Sequence, residues 1–389
     1  LIEGAAFVGL GNAEWSAAER VVRAYFAEED PEAVAARESG PPELVTARRD
    51  EAARRVNRWF AEGRAAGNRG DFYENRDDDH SNLDLDRFPQ ITPLEHGPAA
   101  VEAGWHRGTA EDLALVFAGR EAPPMIGNSS TAIVSGPLRR SMGRLALTGP
   151  GGPARLARQH ATNRLYVYPE HEDHDPFFGD LFHAATPYMI VTQGSSFSDR
   201  PALEALALAL AAFRPDTKAR LIEARLIAPT LQMLWRRAQA GIEDDAAYLS
   251  PAAHPTAFDP ARLEAERLVR LANALAPDEI PPAVRLRVLR EDAPARGVTL
   301  FGDGLQEALF DTPQAVARAF RRTEGPMRLT VSAAATRDPN GRPLRFEWRL
   351  LRGDPERVTI TPLGERGEAA EIEVAWHDET RTPRGVIVT

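Results

Sequence analysis

The sequence predicts an α+β multidomain chain: a helix-rich α/β region over 1–325 that carries the candidate site, then a small β-sandwich over 326–389. Three observations lead there. At 389 residues the chain has room for two or three domains of about 100–200 residues each. Its middle alternates short β-prone runs with apolar stretches of helical period. From Pro326 onward that period gives way to short alternating runs separated by turn signals.

Taken in order, Asn12 caps a predicted helix on which Trp15, Ala18, Val21, Val22 and Tyr25 share a face, broken by Asp30-Pro31 and Pro41-Pro42. A second helix is predicted over 43–65, with Val45, Ala52, Val56 and Phe60 inward. The stretch 73–90, YENRDDDHSNLDLDRFPQ, is too polar for a core element. Thr109 and Asp112 make a capping-box-like start to a helix reaching Phe117. Strands are predicted at 164–168 and 187–193, the second feeding GSSFSDRP and a helix over 200–213. The run 202–213 is the most apolar, yet too short for the roughly 18 residues of a membrane span, and reads as a buried helix. Helices over 216–227 and 230–240 follow, split by Pro229. Another begins at Asp259-Pro260, with Leu263, Leu268, Leu271 and Leu275 inward. The run 284–289 alternates as a half-buried strand, and Thr312-Pro313 starts a last helix to Arg322.

Beyond Pro326, RLTVSAAAT, PLRFEWRLL, RVTITPL and AEIEVAWHD read as regular short strands, with Asp338-Pro339-Asn340-Gly341 as one of the turns between them. Asp338, Pro339, Gly341, Pro343, Leu344, Phe346 and Trp348 resemble the strand entry of PKD or Ig-like modules of bacterial extracellular proteins. The resemblance covers 328–389 and departs after Leu350, where Arg352-Gly353-Asp354-Pro355 replaces the usual turn. It implies a seven-stranded sandwich, its last strand cut short at Thr389, and an extracytoplasmic location, with no activity. The remainder is similar only to uncharacterised exported bacterial proteins, through YPEHEDHD and TPYMIVTQGSSFSD. The chain opens at Leu1 rather than methionine, which suits a processed, exported protein and equally a trimmed one.

Composition excludes several classes. Hydrophobic residues at 43% and charged residues at 27% describe a globular chain, not a disordered one or a collagen. A formal net charge of −10 leaves no footprint for nucleic acid. Lys218 is the single lysine among 47 basic residues, the rest being arginine, as GC-rich coding favours. With no cysteine, disulfides, thiolate catalysis and Cys-ligated metals are out.

Histidine placement points to the chemistry, since seven of the nine lie between 80 and 183. The densest cluster, 168–176, holds His171 and His174 with Glu170, Glu172, Asp173 and Asp175. Bracketed by Pro169 and Pro176, it reads as a loop at a strand end that folds side chains onto one divalent ion, completed by His183 or by Asp77 and Asp79. Mixed N/O donors suit Zn²⁺, Mn²⁺ or Fe²⁺, and carboxylates alone suit Ca²⁺. A solvated acidic loop is the plainer alternative. Asp77, Asp79 and Ser81 alternate like the first ligands of a calcium loop, but Asn82 and Phe88 stand where an EF-hand needs glycine and glutamate. GSSFSD places Ser195 and Ser196 at a strand–turn–helix junction: an anion cradle, a nucleophile elbow at Ser196, or ordinary capping by Ser198 or Asp199. Asn128 and Ser129 form a second small polar turn able to bind a sugar hydroxyl. If strands 164–168 and 187–193 are parallel, both main clusters leave the sheet on one edge.

These readings make the chain an exported bacterial protein, in the lead reading a metal-assisted hydrolase or lyase on extracellular carbohydrate or a similar polymer. His171 and His174 hold the ion, Asp173, Asp175 or the 77–79 aspartates act as base, and Ser195 and Ser196 position substrate. The rivals are a non-catalytic surface binding or assembly subunit with structural Ca²⁺, partnered by a polymer or another surface protein, and a Ser196 hydrolase with a His171 or His174 base. No organic cofactor is indicated.

Overall fold

The computed structural model describes residues 6–18, 21–26, 44–76, 81–103, 112–117, 120–128, 152–169, 188–194, 197–255, 257–292, 308–318, 325–351, 353–376, 380–381 and 387–388. Strands β1 (Ala6–Val8), β2 (Ala13–Ser16) and β3 (Val21–Phe26) precede helix α1 (Glu51–Ala61). Then come β4 (Phe72–Asn75), β5 (Thr92–His96), α2 (Pro98–Glu102), β6 (Asp112–Phe117), β7 (Arg120–Glu121) and β8 (Met125–Asn128). Helix α3 (Gly152–His160), β9 (Arg164–Pro169) and β10 (Met189–Thr192) lead into α4 (Arg200–Ala212), α5 (Pro215–Glu223), α6 (Ile227–Arg237), α7 (Asp245–Tyr248) and α8 (Ala265–Ala274). The C-terminal part holds β11 (Arg287–Glu291), β12 (Ala308–Thr312), β13 (Ala315–Arg318), β14 (Met327–Ser332), β15 (Val358–Leu363) and β16 (Ala369–Val374), with the short pair β17 (Thr380–Arg381) and β18 (Ile387–Val388).

The frame is a six-stranded sheet in the order β1-β5-β4-β8-β9-β10, with every neighbouring pair parallel. Strands buried on both faces read as near-continuous apolar runs, as RLYVYP and MIVT do. Alternate residues then serve opposite cores. Tyr73, Ile126, Leu165, Val167 and Ile190 face the helices. Phe72, Met125, Tyr166, Met189 and Val191 face α3 and a smaller sheet, where Leu156, Val22 and Ala24 join them. Helix α4 is apolar all round and buried from Ala202 to Ala212, the pattern of a helix wrapped on every side. Its one internal charge, Glu204, is met by Arg48 at 2.6 Å and Arg87 at 3.1 Å. No helix among the described residues is long and apolar enough to cross a membrane.

Several elements differ from the expectation. The stretch after Asn12 is the hairpin β2–β3 rather than a helix, with β6 added in parallel to β3. Val21, Val22, Tyr25 and Phe26 suit a pleated strand as well as a helical face, and partners distant in sequence decide between them. Residues 112–117 accordingly form a strand and not a helix. Phe72–Asn75, whose polarity argues against a core element, is a central strand. Thr312-Pro313 opens the turn of the β12–β13 hairpin, where the Thr312 hydroxyl donates to Ala315 O, so no helix starts there. Helix α1 is shorter than expected because Asp50 caps it, accepting from Ala53 N. Pro229 sits in the first turn of α6 and does not break it. Asp259 caps a single turn at Pro260–Arg262, and α8 starts only after it.

The C-terminal region forms a four-stranded antiparallel sheet, β11-β14-β16-β15, and the two-stranded antiparallel pairs β12–β13 and β17–β18. Strand β11 comes from before the expected boundary at 326. Residues 343–350 keep the alternation, with Leu344, Phe346, Trp348 and Leu350 half-buried and Arg345, Glu347 and Arg349 exposed. They join no ladder as a strand, although Phe346 N donates to Arg366 O and Trp348 Nε1 to Gly367 O. A second packed sheet is not found among the described residues.

Candidate site at the carboxyl edge of the parallel sheet

The strand order places a switch point between β4 and β8. From β4 the chain passes to β5 on one side, and from β8 to β9 on the other. Connections that diverge leave a crevice outside the carboxyl ends of the two strands, the usual ligand position of open α/β sheets. The carboxyl ends here are Asn75-Arg76 and Asn128, joined by Arg76 N donating to Asn128 O at 3.0 Å.

Period-2 geometry sorts the polar residues of this edge onto two faces. On one, Glu74, Arg76, His96 and Tyr166 meet. The Glu74 carboxylate lies 2.9 Å from Arg76 Nε, accepts from His96 Nε2 at 2.9 Å, and accepts the Tyr166 hydroxyl. The Arg76 guanidinium stacks 4.6 Å from the Tyr166 ring centroid. Burial disfavours a charge on Glu74, but Arg76 and His96 outweigh it and hold the carboxyl far below its ordinary range. Burial pushes the hydroxyls of Tyr166 and Tyr168 up, so Tyr166 stays a neutral donor. Arg76 is 5% exposed, and its Nη2 has no hydrogen-bond partner among the described residues.

On the other face, Tyr73 OH donates to Asn128 Oδ1 at 2.7 Å and accepts from Leu83 N at 3.0 Å. Asn75 Nδ2 donates to Asn82 Oδ1. Ser81 Oγ accepts from Phe197 N at 2.7 Å, and Arg200 Nε donates to Asn82 O at 3.1 Å. The loop after β4 and the turn after β10 are therefore tied together over the sheet edge. The turn needs Gly194, at φ +117°, where a Cβ would come within 3.0 Å of Ser198 Cβ. Phe197 is left-handed at φ +74° and 55% exposed, a strained non-glycine backbone between strand and helix. Asp199 occupies the N-cap of α4, yet its carboxylate does not bond the helix amides, so ordinary capping does not account for it.

Of the sequence-predicted site residues, Asn128 is described: it is buried, and its side-chain oxygen is taken by Tyr73. His171, Asp173, His174, Asp175, Asp77, Asp79, Ser129, Ser195 and Ser196 lie outside the described residues. Their flanks do converge. β9 and β10 pair in parallel, so the chain enters 170–187 and 195–196 from the same edge on which Asn75 and Asn128 end. Sequence reasoning missed Glu74, Arg76, His96 and Tyr166. The available signal was the i, i+2 spacing of Glu74 and Arg76 in FYENR, which puts both charges on one face of a strand. No group of three His, Asp or Glu able to hold a metal occurs among the described residues.

The fold and edge define an α/β protein whose parallel sheet has a switch point between β4 and β8. No protein-family model matches the chain, and no curated protein or solved structure gives a match.

Proposed function

We propose that the crevice between the carboxyl ends of β4 and β8 is the working site of an extracytoplasmic bacterial hydrolase or lyase acting on a polar polymer such as carbohydrate. One observation carries the reading: the loop holding Ser81, the turn holding Phe197 and the strand end at Asn128 are hydrogen-bonded into one polar edge at the switch point. In this reading Arg76 attracts an anionic or oxygen-rich group, Ser195 and Ser196 position the substrate, and Asp173 or Asp175 serves as base. His171 and His174, with Asp77 and Asp79, are the proposed holders of a divalent ion, Zn²⁺ or Ca²⁺, whose chemistry would be to activate water.

The test is metal content of the purified full chain beside a His171→Ala/His174→Ala variant, run with a screen for reducing ends released from oligosaccharides. Stoichiometric metal lost in the variant, together with its turnover, is the expected result. Equal metal in both proteins removes the ion from this reading. The strained turn at Phe197 favours a second reading, a Ser196 hydrolase. Labelling by a fluorophosphonate that disappears in Ser196→Ala would select it.

A further inference from the structure

A cavity of about 330 Å³ lies against α6, whose Gln232 donates to Met189 O at the start of β10. That volume is at the small end of the roughly 300–1,000 Å³ usual for ligand pockets. One wall is α6, where Thr230, Met233 and Arg236 line the cavity at helical spacing. The chain around Tyr248 and His254 forms another wall, and Pro281, Pro282 and Val284 a third.

Arg236 is the cation on this cavity. It is 7% exposed, and no carboxylate lies within ion-pair distance among the described residues. Its Nη1 donates to Ala253 O at 3.1 Å, and its guanidinium lies 5.3 Å from the Phe258 ring centroid. Two other buried cations among the described residues have acids: Arg76 has Glu74 and Lys218 has Asp71. A buried guanidinium left with one carbonyl and a ring costs stability unless an anion compensates it. The other titratable groups on the cavity do not change that balance. Burial holds His160 and His254 neutral, with pKa values down to about 4, and burial pushes the Tyr248 hydroxyl up. One buried polar atom on the wall, Thr230 Oγ1, has no hydrogen-bond partner among the described residues.

We propose that this cavity binds a small monocarboxylic acid with an apolar body and a hydrogen-bonding far end. The carboxylate pairs with Arg236. The body rests on Met233, Pro282 and Val284. The far end reaches Thr230. One guanidinium balances one negative charge, whereas a dianion such as phosphate would leave a charge uncompensated. Thr230 and Arg236 are six residues apart on one helix, up to about 9 Å along its axis, which sets the ligand length.

The test is isothermal titration of the full chain with 4-hydroxyphenylacetate, phenylacetate, 2-(4-hydroxyphenyl)ethanol and inorganic phosphate. The hydroxy acid is expected to bind most tightly. The alcohol that lacks only the carboxylate should be at least about tenfold weaker, as should the hydroxy acid on Arg236→Met, because each loses a charge-assisted hydrogen bond. Circular dichroism checks that Arg236→Met folds. If it does not, Met233→Trp, which fills the cavity with a larger side chain, must block the acid. Absence of binding by both acids, equal binding of acid and alcohol, binding of phosphate alone, or undiminished binding by Met233→Trp overturns the proposal.

Discussion

Replacing Glu74 by glutamine tests whether the carboxyl edge is organised by charge. The amide would keep the volume and one acceptor, but Arg76, 5% exposed, would lose its counter-ion, and His96 and Tyr166 their anionic acceptor. Breaking one side of a buried ion pair costs about 3–5 kcal/mol. Domains are stable by only about 5–15 kcal/mol, so the variant forfeits a third or more of a typical margin. Tyr166→Phe removes a single bond to a charged group and should cost less, about 1.5–3 kcal/mol. The pH dependence has a definite sign. The folded-state pKa of Glu74 is depressed, burial opposing ionisation but Arg76 and His96 prevailing. Its contribution is therefore complete above the unfolded carboxylate range, about pH 4, and drains away as pH falls below it. Urea denaturation of parent and Glu74→Gln at neutral and acidic pH reads both effects. A Glu74→Gln stability within about 1 kcal/mol of the parent would refute the reasoning. So would a Glu74→Leu/Arg76→Met double variant no more stable than Glu74→Gln, because removing both charges should recover most of the loss.

Other expectations follow from the same packing. At Gly127 a Cβ would approach Glu74 O at 2.5 Å and the Tyr166 ring at 2.6 Å, so Gly127→Ala should cost about 1–3 kcal/mol; unchanged thermal stability would contradict that geometry. Lys218 donates to Asp71 Oδ2 at 2.6 Å and to Gly67 O at 2.8 Å, with both side chains buried. Burial pushes Asp71 up to about 6 and Lys218 only partly offsets it. Lys218→Met should therefore destabilise by about 3–5 kcal/mol, largely restored by adding Asp71→Leu, as a chemical denaturation series would register. His160, 2% exposed, is held down to about 4 by burial against a hydrogen bond between its ring and Gln232. The unfolded chain then binds the extra proton, so stability falls as pH drops from about 6.5 towards 4, by about 2 kcal/mol between pH 7 and 5. His160→Gln should flatten that slope, and melting curves across the range that match the parent's would argue against a neutral buried imidazole.

What the sequence alone determined were the elements whose local pattern has one solution. The run 200–213 is too apolar to be anything but a wrapped helix, and α4 occupies Arg200–Ala212. RLYVYP and MIVT are short, β-branched and aromatic, and both are strands of the parallel sheet. A shared edge required the two to run in parallel, and they do. Tertiary structure decided the rest, because it depends on partners far away in the chain. Val21–Phe26 became a strand once Asp112–Phe117 lay beside it. The stretch FYENR looks too polar to be buried, since sequence shows its charges but not His96 and Tyr166, which lie 22 and 92 residues beyond Glu74 and satisfy it. The same holds for Arg236, which is inconspicuous in sequence among so many arginines. Only folding withdraws it from water without an acid beside it among the described residues, and that turns a common residue into a candidate binding group.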